Sequence, residues 1–79
     1  MKSVNILLDS IEKIKEFTNI VSGLDGDIDL VSGRYVIDAK SIMGIFSLDI
    51  SKPIELDIHA TDEADAADIL NSIKPYIVD

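Results

Sequence analysis

A chain of 79 residues makes one domain, expected over residues 1–79, and buries roughly 60% of its unfolded surface. Its hydrophobic content of 47% suffices for a modest packed core and argues against disorder, while the absence of cysteine excludes disulfides and cysteine-based zinc sites and suits a reducing cytoplasm. The net charge of -8 disfavours nucleic acid and anionic membranes, which are bound through Lys and Arg, and leaves protein partners as the natural class.

The chain has no apolar run near the ~20 residues a membrane-spanning helix needs. The opening stretch MKSVNILLDSIEK lacks a small-residue cleavage site, so a signal peptide is not expected either. Residues 2 to 8 read as a first strand. Asp9 and Ser10 then give a helix-start signal, and Asp9 with Glu12 has capping-box spacing. Ile11, Ile14, Phe17 or Thr18, and Val21 recur at steps of three to four and make one apolar face, which Gly23 is placed to end.

Residues 27 to 31 and 34 to 38 alternate, and Ser32-Gly33 reads as the turn of a hairpin between them. AKSIMGIFSL, residues 39 to 48, predicts a short helix starting near Lys40, because Gly44 costs helix propensity about 1 kcal/mol relative to Ala. Ser51-Lys52-Pro53 breaks the chain. Residues 54 to 60 alternate, with Ile54, Leu56, Ile58 and Ala60 on one face and Glu55, Asp57 and His59 on a wet one. Thr61 predicts the cap of a last helix with an apolar stripe of Ala66, Leu70 and Ile73, Ala67 beside them, ended with the help of Pro75. The order β-α-β-β-α-β-α with amphipathic helices predicts an α+β two-layer sandwich, helices on one face of the sheet.

Little of the chain has the pattern of reaction chemistry. His59 is the only histidine, and a metal site there would have to recruit Asp57 and Glu55, so it reads as a surface residue. Asp25, Asp27 and Asp29 open like a calcium loop, but Leu30 stands where that loop needs Gly and Val36 where it needs Glu. The carboxylates of the first and last helices read as solvated faces rather than acid-base pairs. The 39–48 stretch is different. Ile42, Ile45 and Phe46 share a helical face, Met43 falls to its side, and a short helix cannot easily hide all of them with Leu48. They are either core or a partly exposed patch. Ser41 would stand in the first helical turn, where free N–H groups and the helix dipole favour an anion.

AKSIMGIFSL, preceded by a hairpin and followed by an alternating strand and a Thr-Asp-Glu-capped helix, resembles the histidine-containing phosphocarrier (HPr) family of the bacterial phosphoenolpyruvate–sugar phosphotransferase system. The likeness covers nearly the whole chain in length and element order, and it is specific over Lys40 to Leu48, the family's regulatory serine segment. It implies an open-faced β-sandwich of four antiparallel strands under three helices. Family members carry Gly-Leu/Ile-His-x-Arg-Pro-Ala at the start of the first helix, where the His accepts the phosphoryl group and the Arg stabilises it. Counted back from Ser41 without gaps, residues 8 to 14 of this chain read LDSIEKI. Ser10 stands in place of the His, Glu12 in place of the Arg, and Lys13 in place of the Pro. The chain is similar in this to the family's catabolite-repression homologue, which also lacks the histidine and keeps the serine.

The resemblance implies a regulatory protein rather than an enzyme, needing no cofactor and located in the cytoplasm. Ser41 would be phosphorylated by an HPr kinase/phosphorylase. Lys40, Ile42, Met43 and Phe46 would dock on a transcriptional regulator or an enzyme of the phosphotransferase system. Two other readings stand beside it: an active phosphocarrier working through a residue such as Asp9 or Ser10, and a stand-alone binding module whose serine is only a helix cap.

Overall fold

The computed structural model describes residues 2–60 and 62–78. Strands β1 (Lys2–Ile6), β2 (Ile28–Ser32), β3 (Tyr35–Asp38) and β4 (Ile54–Ile58) form one antiparallel sheet in the order β1-β4-β2-β3. Helices α1 (Ile11–Ser22), α2 (Ile42–Phe46) and α3 (Glu63–Ser72) complete the β-α-β-β-α-β-α order, and a turn of 3-10 helix follows over Lys74–Tyr76. This is the α+β open-faced sheet that the sequence predicts.

The core lies where the strand alternation and the helical stripes meet. Ile6, Ile28, Leu30, Ile54, Leu56 and Ile58 of the sheet are buried with Ile14, Phe17 and Val21 of α1, Ile45 of α2, and Ala66 and Ile69 of α3. Several local expectations are corrected by this packing. Ile11 is exposed, because α1 turns Ile14, Phe17, Thr18 and Val21 to the sheet, and Thr18 satisfies its hydroxyl on the Ile14 carbonyl at 2.9 Å. In α3, Ile69 is buried beside Ala66, Leu70 is half-buried against the same core, and Ala67 is exposed. The cap of α3 is Asp62, whose carboxylate accepts from the Ala64 N–H at 2.9 Å; Thr61 lies outside the described residues.

The hairpin turn is Gly33-Arg34, since Ser32 pairs with Tyr35. Gly33 has φ 60° and Arg34 is not left-handed, the φ pattern of a II′ turn, which needs Gly at its first central position. The chain end has a role that no periodicity announces. Ile77 bridges to Ile6, Leu7 N donates to the Tyr76 carbonyl at 2.9 Å, and Val78 N donates to the Asn5 carbonyl at 2.8 Å. The outer edge of β1 is thereby covered at Asn5 and Ile6. Tyr76 stacks edge-on against Phe17 at 5.8 Å and donates its hydroxyl to Glu16 Oε2 at 3.1 Å, pinning the end of the chain to α1.

The open face of the sheet is less wet than strand alternation implies. Asp57 lies across from Ser3 on one side and Asp29 on the other, and only 8% of it is exposed. Ser3 Oγ donates to Asp57 Oδ1 at 2.7 Å, so a neighbouring hydroxyl replaces part of the lost water. Hydrogen bonding with Asp57 and its negative charge push the Glu55 carboxyl above its ordinary value. A raised carboxyl pKa means that the folded state holds its proton longer than the unfolded chain. Its contribution therefore lowers stability as pH rises out of the ordinary carboxylate range, and the loss disappears in acid. Glu55→Gln is expected to raise the melting temperature at neutral pH and to leave it unchanged at about pH 3, below the usual carboxylate values. Melts at the two pH values check this; an equal rise at both would mean that the Asp57 contact is not the cause.

Candidate functional site

Two helix starts carry the residues singled out by sequence. At α1 the cap is Ser10, not Asp9: its Oγ accepts from the Lys13 N–H at 3.2 Å in extended backbone geometry. The residue three positions beyond the cap is therefore Lys13, so no capping box forms. Asp9 instead pairs with Lys13 at 3.0 Å, and that hydrogen bond and the ammonium charge hold its carboxyl below the usual range. Glu12 is exposed in the first turn, where a carboxylate suits the helix dipole. The start of this helix thus presents a hydroxyl that caps the backbone, two carboxylates and one lysine already paired.

At α2 the cap is Ser41 itself. Its Oγ accepts from the Gly44 N–H at 3.2 Å, and its own N–H donates to the Asp38 carbonyl at 2.9 Å. The side chain is exposed, so its hydroxyl is within reach of a modifying enzyme. Gly44 does more than shorten the helix. A Cβ there would stand 3.1 Å from Ser41 Oγ and 3.3 Å from Ile37, so glycine lets α2 lie close on β3. Lys40 is tied down at both its backbone and its side chain. Its N–H donates to Asp38 Oδ1 at 2.9 Å, and its ammonium donates to the Leu24 carbonyl at 3.0 Å, tying the segment before α2 to the loop after α1.

The apolar run divides cleanly. Ile45 and Leu48 are buried and belong to the core; Ile42 is half-buried; Met43 is 77% exposed and Phe46 42%. Ile42 lines a cleft between α1 and α2 together with Lys15, Thr18, Asn19, Ser22 and Lys40. Both readings of the run therefore hold for different residues, because a helix of five residues has one side on the sheet and the other in water.

His59 stands just past the end of β4, at the sheet rather than at a helix start. Its Nε2 lies 3.0 Å from Asp29 Oδ2, and its N–H donates to the Asp27 carbonyl. Its partner is thus Asp29, not Asp57 or Glu55. Among the described residues no group of three His, Cys, Asp or Glu side chains is arranged to hold a metal ion. Among them, too, no helix is long and apolar enough to cross a membrane.

Residues 12–79 match the family model described as the PTS HPr component phosphorylation site. The chain belongs to the HPr family. Solved structures agree: the chain is similar to HPr-C-His from Thermoanaerobacter tengcongensis, with 28% identity and a TM-score of 0.72 over 92% of this chain and 90% of that one. It is also similar to a phosphocarrier protein HPr from Bacillus anthracis, with 26% identity and a TM-score of 0.74 over 98% of this chain and 94% of that one. No curated protein matches the chain. The HPr match begins at Glu12, two residues beyond the Ser10 cap, and takes in α2 with Ser41.

Proposed function

We propose that this HPr-family chain is a regulatory protein of the phosphotransferase system and carbon catabolite control, without a phosphohistidine site. The observation that carries the reading is the pair of helix starts. Ser10 and Glu12 occupy the start of α1, where the family pattern has the accepting His and the stabilising Arg. A phosphoserine is not an energy-rich donor like a phosphohistidine, and Glu12 with Asp9 repels an incoming phosphoryl group. Ser41, by contrast, caps α2 beside exposed Met43 and Phe46, so a charge added there changes which partners dock on that surface.

In this reading Ser41 is modified by an HPr kinase/phosphorylase, and the product docks in the cytoplasm on a transcriptional regulator or a phosphotransferase-system enzyme. The contacts would be Ile42, Met43 and Phe46, with Lys40 fixing the approach of the preceding segment. A phosphate at the cap of α2 meets unpaired N–H groups and the positive end of the helix, a stabilisation of about 0.3–1 kcal/mol at an exposed site. The chain's own charge opposes it but is screened over about 8–10 Å in physiological salt. Incubation with ATP and the kinase is expected to place one acid-stable phosphate on Ser41, to leave Ser41→Ala unmodified, and to raise the melting temperature by up to a few degrees. No incorporation, or a loss of several degrees on phosphorylation, would reject the assignment.

A further inference from the structure

We infer that the outer edge of β3 is a self-association surface that pairs with β3 of a second copy of this chain. The two edges of the sheet are treated differently. The outer edge of β1 is covered at its end, where Ile77 bridges to Ile6 and Val78 N donates to the Asn5 carbonyl, whereas no strand among the described residues pairs with the outer edge of β3. Bare edges are usually blunted with lysine, proline or a bulge. The sequence of β3 is Tyr-Val-Ile-Asp, and Tyr35 and Val36 are 68% and 64% exposed. An open edge with apolar side chains is a template for another strand.

The backbone determines which groups are on offer. Ala39 N donates to the Ile28 carbonyl of β2 at 2.9 Å. By alternation Ile37 and Tyr35 also turn their peptide groups to β2, and Val36 presents both of its own to the open edge; Asp38 faces the same way, but its carbonyl already accepts from the Ser41 N–H at 2.9 Å. An antiparallel pair of β3 strands related by a two-fold axis must keep side chains on matching faces, so like-facing residues oppose each other. With the axis at Val36, Val36 opposes Val36 and exchanges both backbone hydrogen bonds with it. Tyr35 opposes Ile37 on the helix face. Arg34 opposes Asp38 on the open face, twice. Arg34 makes no salt bridge among the described residues, and Asp38 uses only one carboxylate oxygen within its own chain, on Lys40 N–H. The alternative register, centred on Ile37, sets Val36 against Asp38 and leaves Arg34 unmatched. A strand with a cation at one end and an anion at the other is complementary to itself in antiparallel pairing, which favours a second copy over an unrelated segment.

Sedimentation equilibrium of the full chain at 0.15 M salt, taken up to millimolar protein, is expected to show a monomer–dimer equilibrium. Amide exchange at Val36 should slow as concentration rises. Val36→Lys places two ammonium groups at the axis and is expected to weaken the dimer about tenfold or more with the far-ultraviolet circular dichroism unchanged. Arg34→Asp and Asp38→Arg should each weaken it, and the double exchange should restore it, an outcome that a merely structural role would not give. A chain that remains monomeric throughout overturns the proposal and leaves the edge to an extended segment of another protein. A dimer indifferent to Val36→Lys, or a double exchange no tighter than the single ones, overturns it as well. All of these outcomes are independent of whether Ser41 is phosphorylated.

Discussion

Incubated with phosphoenolpyruvate and the first enzyme of the phosphotransferase system, the chain is expected to form no phosphohistidine. The acceptor in this chemistry is an imidazole held at a helix start with a cation beside it. Here the only imidazole belongs to His59, beyond the end of β4, and its Nε2 is 3.0 Å from the Asp29 carboxylate. An incoming phosphoryl group would meet that carboxylate rather than a stabilising guanidinium. At the start of α1 the Ser10 hydroxyl accepts from the Lys13 N–H, and the one nearby ammonium is paired with Asp9. Transfer is expected to lie at least about a thousandfold below that of a histidine-bearing HPr, the scale of losing a reacting nucleophile. Acid-labile phosphate on His59 would refute this. Ser10→His with Glu12→Arg is expected to recover only weak transfer, because on the gap-free count from Ser41 Lys13 falls where the family has proline, and Asp9 keeps its charge at the helix start.

Within α2, Ile45→Ala and Met43→Ala should differ by more than about 2 kcal/mol in stability, although they are two residues apart. Ile45 is fully buried between the sheet and the helices, and truncating such a side chain costs about 2–5 kcal/mol in lost transfer energy and residual cavity. Met43 is mostly in water, and substitutions there stay within about 0.5 kcal/mol. For a domain of this size the first change lowers the melting temperature by roughly 10 °C or more and the second barely moves it. Urea titration of both variants checks the contrast. Partner binding should behave in the opposite sense, with Met43→Ala weakening it at unchanged stability. If Met43→Ala were as costly to the fold as Ile45→Ala, Met43 would be core, and the docking surface would lose its most exposed member.

The sequence and the structure agree wherever a period is long enough to average over errors. The alternation of Ile54, Leu56 and Ile58 and the spacing of Ile14, Phe17 and Val21 each repeat often enough to assign a face. Single-residue assignments fared worse because neighbouring residues compete for the same role. Asp9 and Ser10 are both good caps, and packing of Phe17 and Val21 on the sheet decides the rotation of α1 and with it the capping residue. Ile69 and Leu70 are equally apolar, and α3 buries the first and half-buries the second. Asp57 looked wet because alternation says which face a side chain takes, not what covers that face. The ammonium of Lys40 on the Leu24 carbonyl and the edge role of Ile77 link residues 16 and 71 positions apart, and no local pattern records such distances. At the candidate site, the places of Ser10 and Ser41 at helix starts were readable, and the division of the apolar run into Ile45 inside and Met43 outside required the fold.

The closure of β1 by residues 76 to 78 also dictates an order of events during synthesis. β1 finds its neighbour on one side only when residues 54 to 58 exist, and on the other side the backbone of Asn5 and Leu7 bonds to Val78 and Tyr76. While a ribosome is still adding α3, the stretch from Lys2 to Ile6 has at most one pairing partner, and Phe17 lacks the ring of Tyr76 against it. The hairpin of β2 and β3, whose pairing is local, has no such wait and can form early. Completion of the fold is thus deferred until residues 76 to 78 have been made, and these residues act as a latch on residues 5 to 7.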